Sequence, residues 1–300
     1  MTVEEARKRY EQYKKEIHWQ NNHEHEDALF EVTEYLLNQT KDPWYSSDLG
    51  SYYYDRRQFD LALKYYEMTY ELGDHDIAVC LGYIWYYGRT GERDFEKAFH
   101  YYDKARRMGD VVAAYKVADM YRNGYFVEKD MDRYREIIEE MYPQIKDATN
   151  LGAPLPEIFT RLAKIRTEQG RTDEALHLYD IARDFLAQRI RWNPFFGNLN
   201  IMKWMIWDIY KIRKFNSVDF GFYDLYYILQ KPARVRFTHY KSISELEIHE
   251  VEAVEEGGDI AVRFDDHWYH TVDDFFQKAD LKGTLLTALY EELYDFRLES

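Results

Sequence analysis

The residues best suited to chemistry in this chain of 300 lie in one short run, Asp265-Asp266-His267-Trp268-Tyr269-His270. A histidine beside carboxylates can serve as a general base, and the run follows a predicted strand, where functional loops often sit. The plainer reading makes it the turn between the last strand and a helix starting near Thr271, with Trp268 in the core. The plainer reading is preferred, and an enzyme using Asp266, His267 and His270 is the weakest of three functional readings. A second polar group, His23-Glu24-His25 with Asp27, could reach for a metal, but neighbours one and two apart do not face together on a helix. A surface turn is expected there, and no metal site. The chain lacks a phosphate loop ending in Gly-Lys-Ser/Thr, a cysteine pair for zinc and a Gly-x-Ser-x-Gly elbow. No catalysis and no cofactor are expected.

A third group is basic. Lys211, Arg213 and Lys214, with Arg189, Arg191, Lys231, Arg234 and Arg236, interleave with aromatics, a pattern that can hold nucleic acid by phosphate contact and stacking. The competing reading docks this zone on acidic groups of the same chain. The overall balance, 40 basic against 55 acidic residues and a net −15, disfavours nucleic acid. Charge is also unevenly placed. Residues 1–180 hold 25 Lys+Arg against 35 Asp+Glu, residues 181–240 hold 10 against 4, and residues 241–300 hold 5 against 16.

What positions these groups is a helical body rich in rings: 29 Tyr, 17 Phe and 7 Trp, with 46% hydrophobic residues, enough to bury a core and to exclude disorder. The single Cys80 excludes a disulfide scaffold. The N-terminus has no apolar core of the kind a leader needs. The most apolar stretch, 199–212, is short and carries Lys203 and Asp208, whereas a span needs ~20 apolar residues. A reducing, cytoplasmic setting without membrane contact is expected.

Self-similarity then decides the fold. DLALKYYEMTYELGD ends at Asp74 and FEKAFHYYDKARRMGD at Asp110, so Ala62 and Ala98, Tyr65 and Tyr101, and Gly73 and Gly109 correspond. Leu49-Gly50 corresponds to Leu81-Gly82, and a third unit begins in VVAAYKVADMYRNGYFVEKD, residues 111–130. Each unit reads as two helices, with Gly50, Gly82 and Ala163 where helices approach closely. Gly73 and Gly109 read as helix stops, each followed by an Asp that can begin the next helix. Tyr65, Tyr66, Tyr101 and Tyr102 fill the gaps between pairs, and stacking buries what no unit buries alone. Tyr134 stands where a small Ala is expected, which predicts a wider third pair. Helices over 27–38 and 3–19 precede the repeats.

These units resemble Sel1-like repeats, a branch of the tetratricopeptide family, of the bacterial type. Leu81, Gly82, Tyr86, Gly88, Gly91, Asp94, Ala98, Tyr101, Ala105 and Gly109 carry the resemblance. Residues 155–190 are similar to an ordinary tetratricopeptide unit, through Leu162-Ala163, Gly170, Ala175, Tyr179 and Ala182. The resemblance implies a right-handed α-solenoid whose first helix in each pair lines a concave surface. It thereby points to Trp44, Tyr54, Tyr83, Tyr86, Tyr115, Asp119, Arg122 and Asn123 as a partner-binding groove. The competing reading has several of these tyrosines only packing between helices.

No resemblance extends past Arg191. Residues 197–212 and 218–230 read as helices. Alternation in 234–240, 244–254 (Leu246 and Ile248 on one face) and 259–264 predicts a three-stranded antiparallel meander, followed by helices over 272–279 and 283–296. The expected organisation is a mainly α chain: N-terminal capping helices over 1–43, a repeat solenoid over 44–191 and a small C-terminal α+β module over 192–300. The leading functional reading is a non-catalytic adaptor or scaffold that presents a Tyr-rich groove to a peptide or helix of a protein partner. The alternative is an inhibitor or immunity-type protein whose acidic C-terminal module blocks a basic, nucleic-acid-handling partner.

Overall fold

The computed structural model describes residues 1–20, 24–242 and 245–299. The chain forms two compact units, residues 1–138 and 139–300. In the first, helices pack in consecutive pairs: α1 (Val3–Gln20) with α2 (Glu26–Thr40), α3 (Pro43–Asp55) with α4 (Phe59–Glu71), and α5 (Ala78–Tyr87) with α6 (Phe95–Arg107). Then come α7 (Val111–Asn123) and α8 (Met131–Ile145). Acidic caps start α3, α6 and α7. Asp42 accepts the Trp44 amide at 3.0 Å, Asp94 the Lys97 amide at 2.9 Å and Asp110 the Ala113 amide at 2.6 Å. Gly73 and Gly109, with φ of 99° and 94°, turn the chain out of α4 and α6.

The pairs close on glycine. A Cβ at Gly82 would lie 2.6 Å from Cδ1 of Tyr102, and one at Gly50 would clash in the same way with Tyr66. Each tyrosine ring therefore lies flat on its partner helix's backbone. The third pair is built otherwise: the corresponding residues, Ala118 and Ile138, are a methyl and a smaller branched chain, both fully buried. Tyr134, at the position where a small residue is expected, is buried as well.

In the second unit, α9 (Leu155–Glu168) pairs with α10 (Thr172–Trp192), and α11 (Phe196–Ile212) follows on α10. The helix expected over 218–230 is reduced to a 3-10 turn, Phe222–Asp224, and one short turn α12 (Leu225–Ile228). The Asp224 carboxylate accepts the Gly221 amide at 2.8 Å and holds the preceding chain out of helical form.

The C-terminal sheet has five strands, not the three expected. β1 (Ala233–Ser242), β2 (Glu245–Glu256) and β3 (Asp259–Phe264) are the predicted meander. β4 (His267–Tyr269) and β7 (Leu293–Glu299) extend it on either side, in the antiparallel order β4-β3-β2-β1-β7. Between them lie α13 (Val272–Lys278), the two-residue ribbon strands β5 (Asp280–Leu281) and β6 (Thr284–Leu285), and a single turn α14 (Leu286–Leu289). The helix expected over 283–296 thus ends at Leu289, and Leu293 and Phe296 enter the core from β7. Val235, Phe237, Val251, Ala253, Val262 and Phe264 form the covered face, with Phe275 and Phe276 of α13 packed among them. Phe237 is fully buried and stacks on Phe264 at 5.9 Å and on Phe296 at 5.2 Å. Leu246 and Ile248 share a face, but it is the exposed one. Trp268 lies opposite Arg263 on that outer side, 55% exposed, and is not core.

Candidate functional site

The repeat register places corresponding residues in a row along α3, α5 and α7. Asp48, Cys80 and Lys116 share one position, Ser51, Tyr83 and Asp119 the next, and Asp55, Tyr87 and Asn123 a third. The centre of the row is aromatic and cationic. Buried Lys116 donates to the Tyr87 hydroxyl at 2.7 Å, and its ammonium lies 4.9–5.6 Å from the rings of Tyr83, Tyr86, Tyr87 and Tyr115. A cation over ring faces is held by their negative quadrupole. Arg89, exposed, lies within 5.7 Å of the rings of Phe59, Tyr83 and Tyr87, with its guanidinium near the Tyr54 and Tyr83 phenols. Burial pushes both of those phenols up, despite the neighbouring guanidinium. Tyr54 and Tyr83 meet at 6.5 Å and carry the aromatic surface from α3 to α5.

The remaining groove candidates separate. Tyr86 packs against Phe95, Tyr102 and Tyr125, so it supports the wall from behind. Tyr115 and Asp119 are buried, Arg122 sits 3.7 Å from Asp119 and over the Tyr134 ring, and Asn123 is exposed. Trp44 stands away from the others: its indole N–H donates to Tyr10 of α1 at 2.7 Å. A cleft of about 440 Å³ opens among α1, α2 and α3, and its walls include Lys14, Glu26, Phe30, Asp48, Tyr52 and Arg56. Cys80 lies within the row, and burial raises its thiol to about 11, so it is no nucleophile at neutral pH.

The other polar groups resolve as follows. Asp265 and Asp266 form the β3–β4 turn, and His267 and His270 are exposed on either side of Tyr269. The first histidine motif includes His23, which lies outside the described residues. Much of the basic zone is paired within the chain: Arg189 with Glu157 at 2.8 Å, Arg191 with Glu291 at 2.5 Å, Arg234 with Glu252 at 2.7 Å and Arg236 with Glu299 at 3.5 Å. The Arg234 and Arg263 guanidiniums hold the Glu252 carboxyl below the usual range. Among the described residues, no helix is long and apolar enough to cross a membrane.

One constellation went unread in the sequence. His239, Glu247 and His249 bring potential ligand atoms within 4.8 Å of one another. Glu247 lies directly across the β1–β2 ladder from His239, and His249 lies diagonally. Only the strand register reveals this.

A Sel1-repeat family model matches residues 48–74, 81–110 and 111–133. The photosystem I assembly protein Ycf3 of Parasynechococcus marenigrum (strain WH8102) is 28% identical over 117 residues, 37% of this chain. The chain spans 65% of that relative's length. The crystal structure of a Sel1 repeat protein from Oxalobacter formigenes shares the fold, with a TM-score of 0.51 and 21% identity, over 68% of this chain and 78% of that one. A protective antigen of uropathogenic Escherichia coli with an SLR fold matches at a TM-score of 0.45 and 18% identity, over 63% of this chain and 45% of its own.

Proposed function

From the premise that residues 48–133 are Sel1 repeats, we propose that this protein is a non-catalytic interaction protein whose α3–α5–α7 face receives a peptide or helix of a protein partner. The observation that carries this is the row of corresponding positions with Tyr83 and Tyr87 at its centre, held by Lys116 and Arg89. Tyr54, Tyr83, Arg122 and Asn123 would touch the partner, with Trp44 at the α1 side. Tyr86, Tyr115 and Asp119 would set the wall from within. Tyrosine offers large, rigid contact area with a polar tip, and Arg89 adds a site for a carboxylate of the partner. Such a role accords with the assembly function in the name of the Ycf3 relative.

The acidic-inhibitor reading has less support. Glu250, Glu252, Asp273, Glu291 and Glu299, all within the acidic segment, are engaged by Arg263, Arg234, Lys203, Arg191 and Arg236 of the same chain. A charge mimic needs its field unpaired.

The test is a Tyr54→Ala, Tyr83→Ala, Arg89→Ala variant, compared with wild type and with a Leu246→Ala, Ile248→Ala variant of the sheet's outer side. Folding is checked by circular dichroism and co-purifying proteins by mass spectrometry. Partners lost only from the first variant are the expected result. An unchanged partner set in a folded triple variant sinks the proposal.

A further inference from the structure

Inside the five-stranded sheet, two histidines are each held at one ring nitrogen and left bare at the other. His249 Nδ1 donates to the Asp265 carboxylate at 2.8 Å, and His239 Nε2 faces the Glu292 carboxylate at 3.5 Å. With the proton on those nitrogens, His249 Nε2 and His239 Nδ1 carry lone pairs. Both are buried and have no hydrogen-bond partner among the described residues. The His239 side chain is 2% exposed and that of His249 10%. Each bare nitrogen lies 3.9 Å from the same oxygen, Glu247 Oε2. The other oxygen of Glu247 is held by Lys282 at 2.7 Å. Three donors, two of them buried and unpartnered, thus converge on one point.

We propose that His239, Glu247 and His249 bind a single divalent cation of the zinc class. A zinc ion about 2.0–2.2 Å from nitrogen and oxygen ligands sets those ligands roughly 3.3 Å apart. The present spacing closes to that with side-chain shifts under ~1 Å. Two imidazoles and one carboxylate suit zinc, whereas calcium and magnesium prefer oxygen ligands throughout. The outer partners have the form that metal-binding histidines use: a carboxylate on the distal ring nitrogen fixes the tautomer and raises the basicity of the ligating one. Asp265 is itself fixed, accepting the Glu250 amide at 3.2 Å while its own amide donates to the Glu250 carbonyl at 3.0 Å. Three protein ligands leave a fourth position for water or an outside donor. A cleft of about 330 Å³ adjoins, and its walls include Asp265 and Lys282, the groups that hold His249 and Glu247.

The experiment uses the full chain, stripped with a chelator and desalted, then titrated with zinc chloride by calorimetry at pH 7.5. Cobalt(II) serves as a spectroscopic probe. One zinc per chain is expected, with a visible cobalt d–d band of a low-coordinate nitrogen–oxygen site. His249→Ala and Glu247→Gln should each weaken zinc at least tenfold. Asp265→Asn, a positioning change, should weaken it about tenfold. His270→Ala, exposed and outside both the cluster and the cleft, should bind as wild type. No stoichiometric uptake by folded wild-type protein overturns the proposal, as does uptake that survives His249→Ala undiminished. The cobalt spectrum needs no variant, so misfolding of a buried-histidine mutant does not protect the proposal: absence of the band in wild type counts against it.

Discussion

The helix pairs of the first unit and the sheet of the second are both ring-packed, yet their rings mean different things. In the pairs, a ring answers to one residue on the neighbouring helix, as Tyr66 does to Gly50 and Tyr102 to Gly82. The relation is local and is written twice. In the sheet, Phe237 answers to Phe264 and Phe296, which approach from β3 and β7, and nothing among the described residues repeats that relation. A repeat can be altered one pair at a time, whereas the sheet core is one object.

The largest effect should therefore fall in the sheet. Phe237→Ala removes a fully buried ring and is expected to cost about 3–5 kcal/mol. Hydrogen exchange should lose protection in β1, β3 and β7 together. Loss confined to β1 would show that the strands are not held by a common stack.

Next in size is Gly82→Ala, which drives a methyl into the Tyr102 ring and should cost about 1–3 kcal/mol in urea unfolding. Adding Tyr102→Ile reproduces the Ala118–Ile138 solution and should recover part of the loss, giving a favourable coupling of about 1–2 kcal/mol. Additive losses in the double variant would break the claim that the contact is pairwise.

The smallest effect concerns charge. Arg166 holds the Glu139 carboxyl below its usual 4.5 by a direct hydrogen bond. A carboxyl lowered in the folded state stabilises above its unfolded pKa, and that contribution is lost as pH falls through the folded value. Glu139→Gln should accordingly lower stability near pH 7 by less than ~1 kcal/mol, because the side chain is 41% exposed. It should flatten the decline below pH 4.5. A variant whose acid limb matches wild type would refute the pairing.

The difference between the two regions also explains what could be read in advance. Leu81, Gly82 and Ala98 each have counterparts in Leu49, Gly50 and Ala62, so the helix pairs were legible from spacing alone. Alternation was enough for β1, β2 and β3. It failed for β7, because Glu291-Glu292 and the flanking leucines mimic a helix face, and for β4, which is three residues long within a polar run. The inward or outward side of Leu246, Ile248 and Trp268 depends on register, which apolar character misreports at an outer face. His239, Glu247 and His249 were unreadable for the same reason: they meet only across a ladder. The tyrosine row was partly legible, since the register located Tyr54 and Tyr83, but Lys116 and Arg89 escaped notice because nothing in their spacing marks a cation among rings.

The Gly82–Tyr102 contact has a consequence for how such a chain can change over time. The two positions are locked to each other, so a methyl on the glycine is barred while the ring is present. Losing the ring alone leaves a gap in a fully buried site, so either single change is costly. Passage from a Gly–Tyr pair to an Ala–Ile pair therefore asks both positions to change together, and the third pair carries the second combination, Ala118 with Ile138.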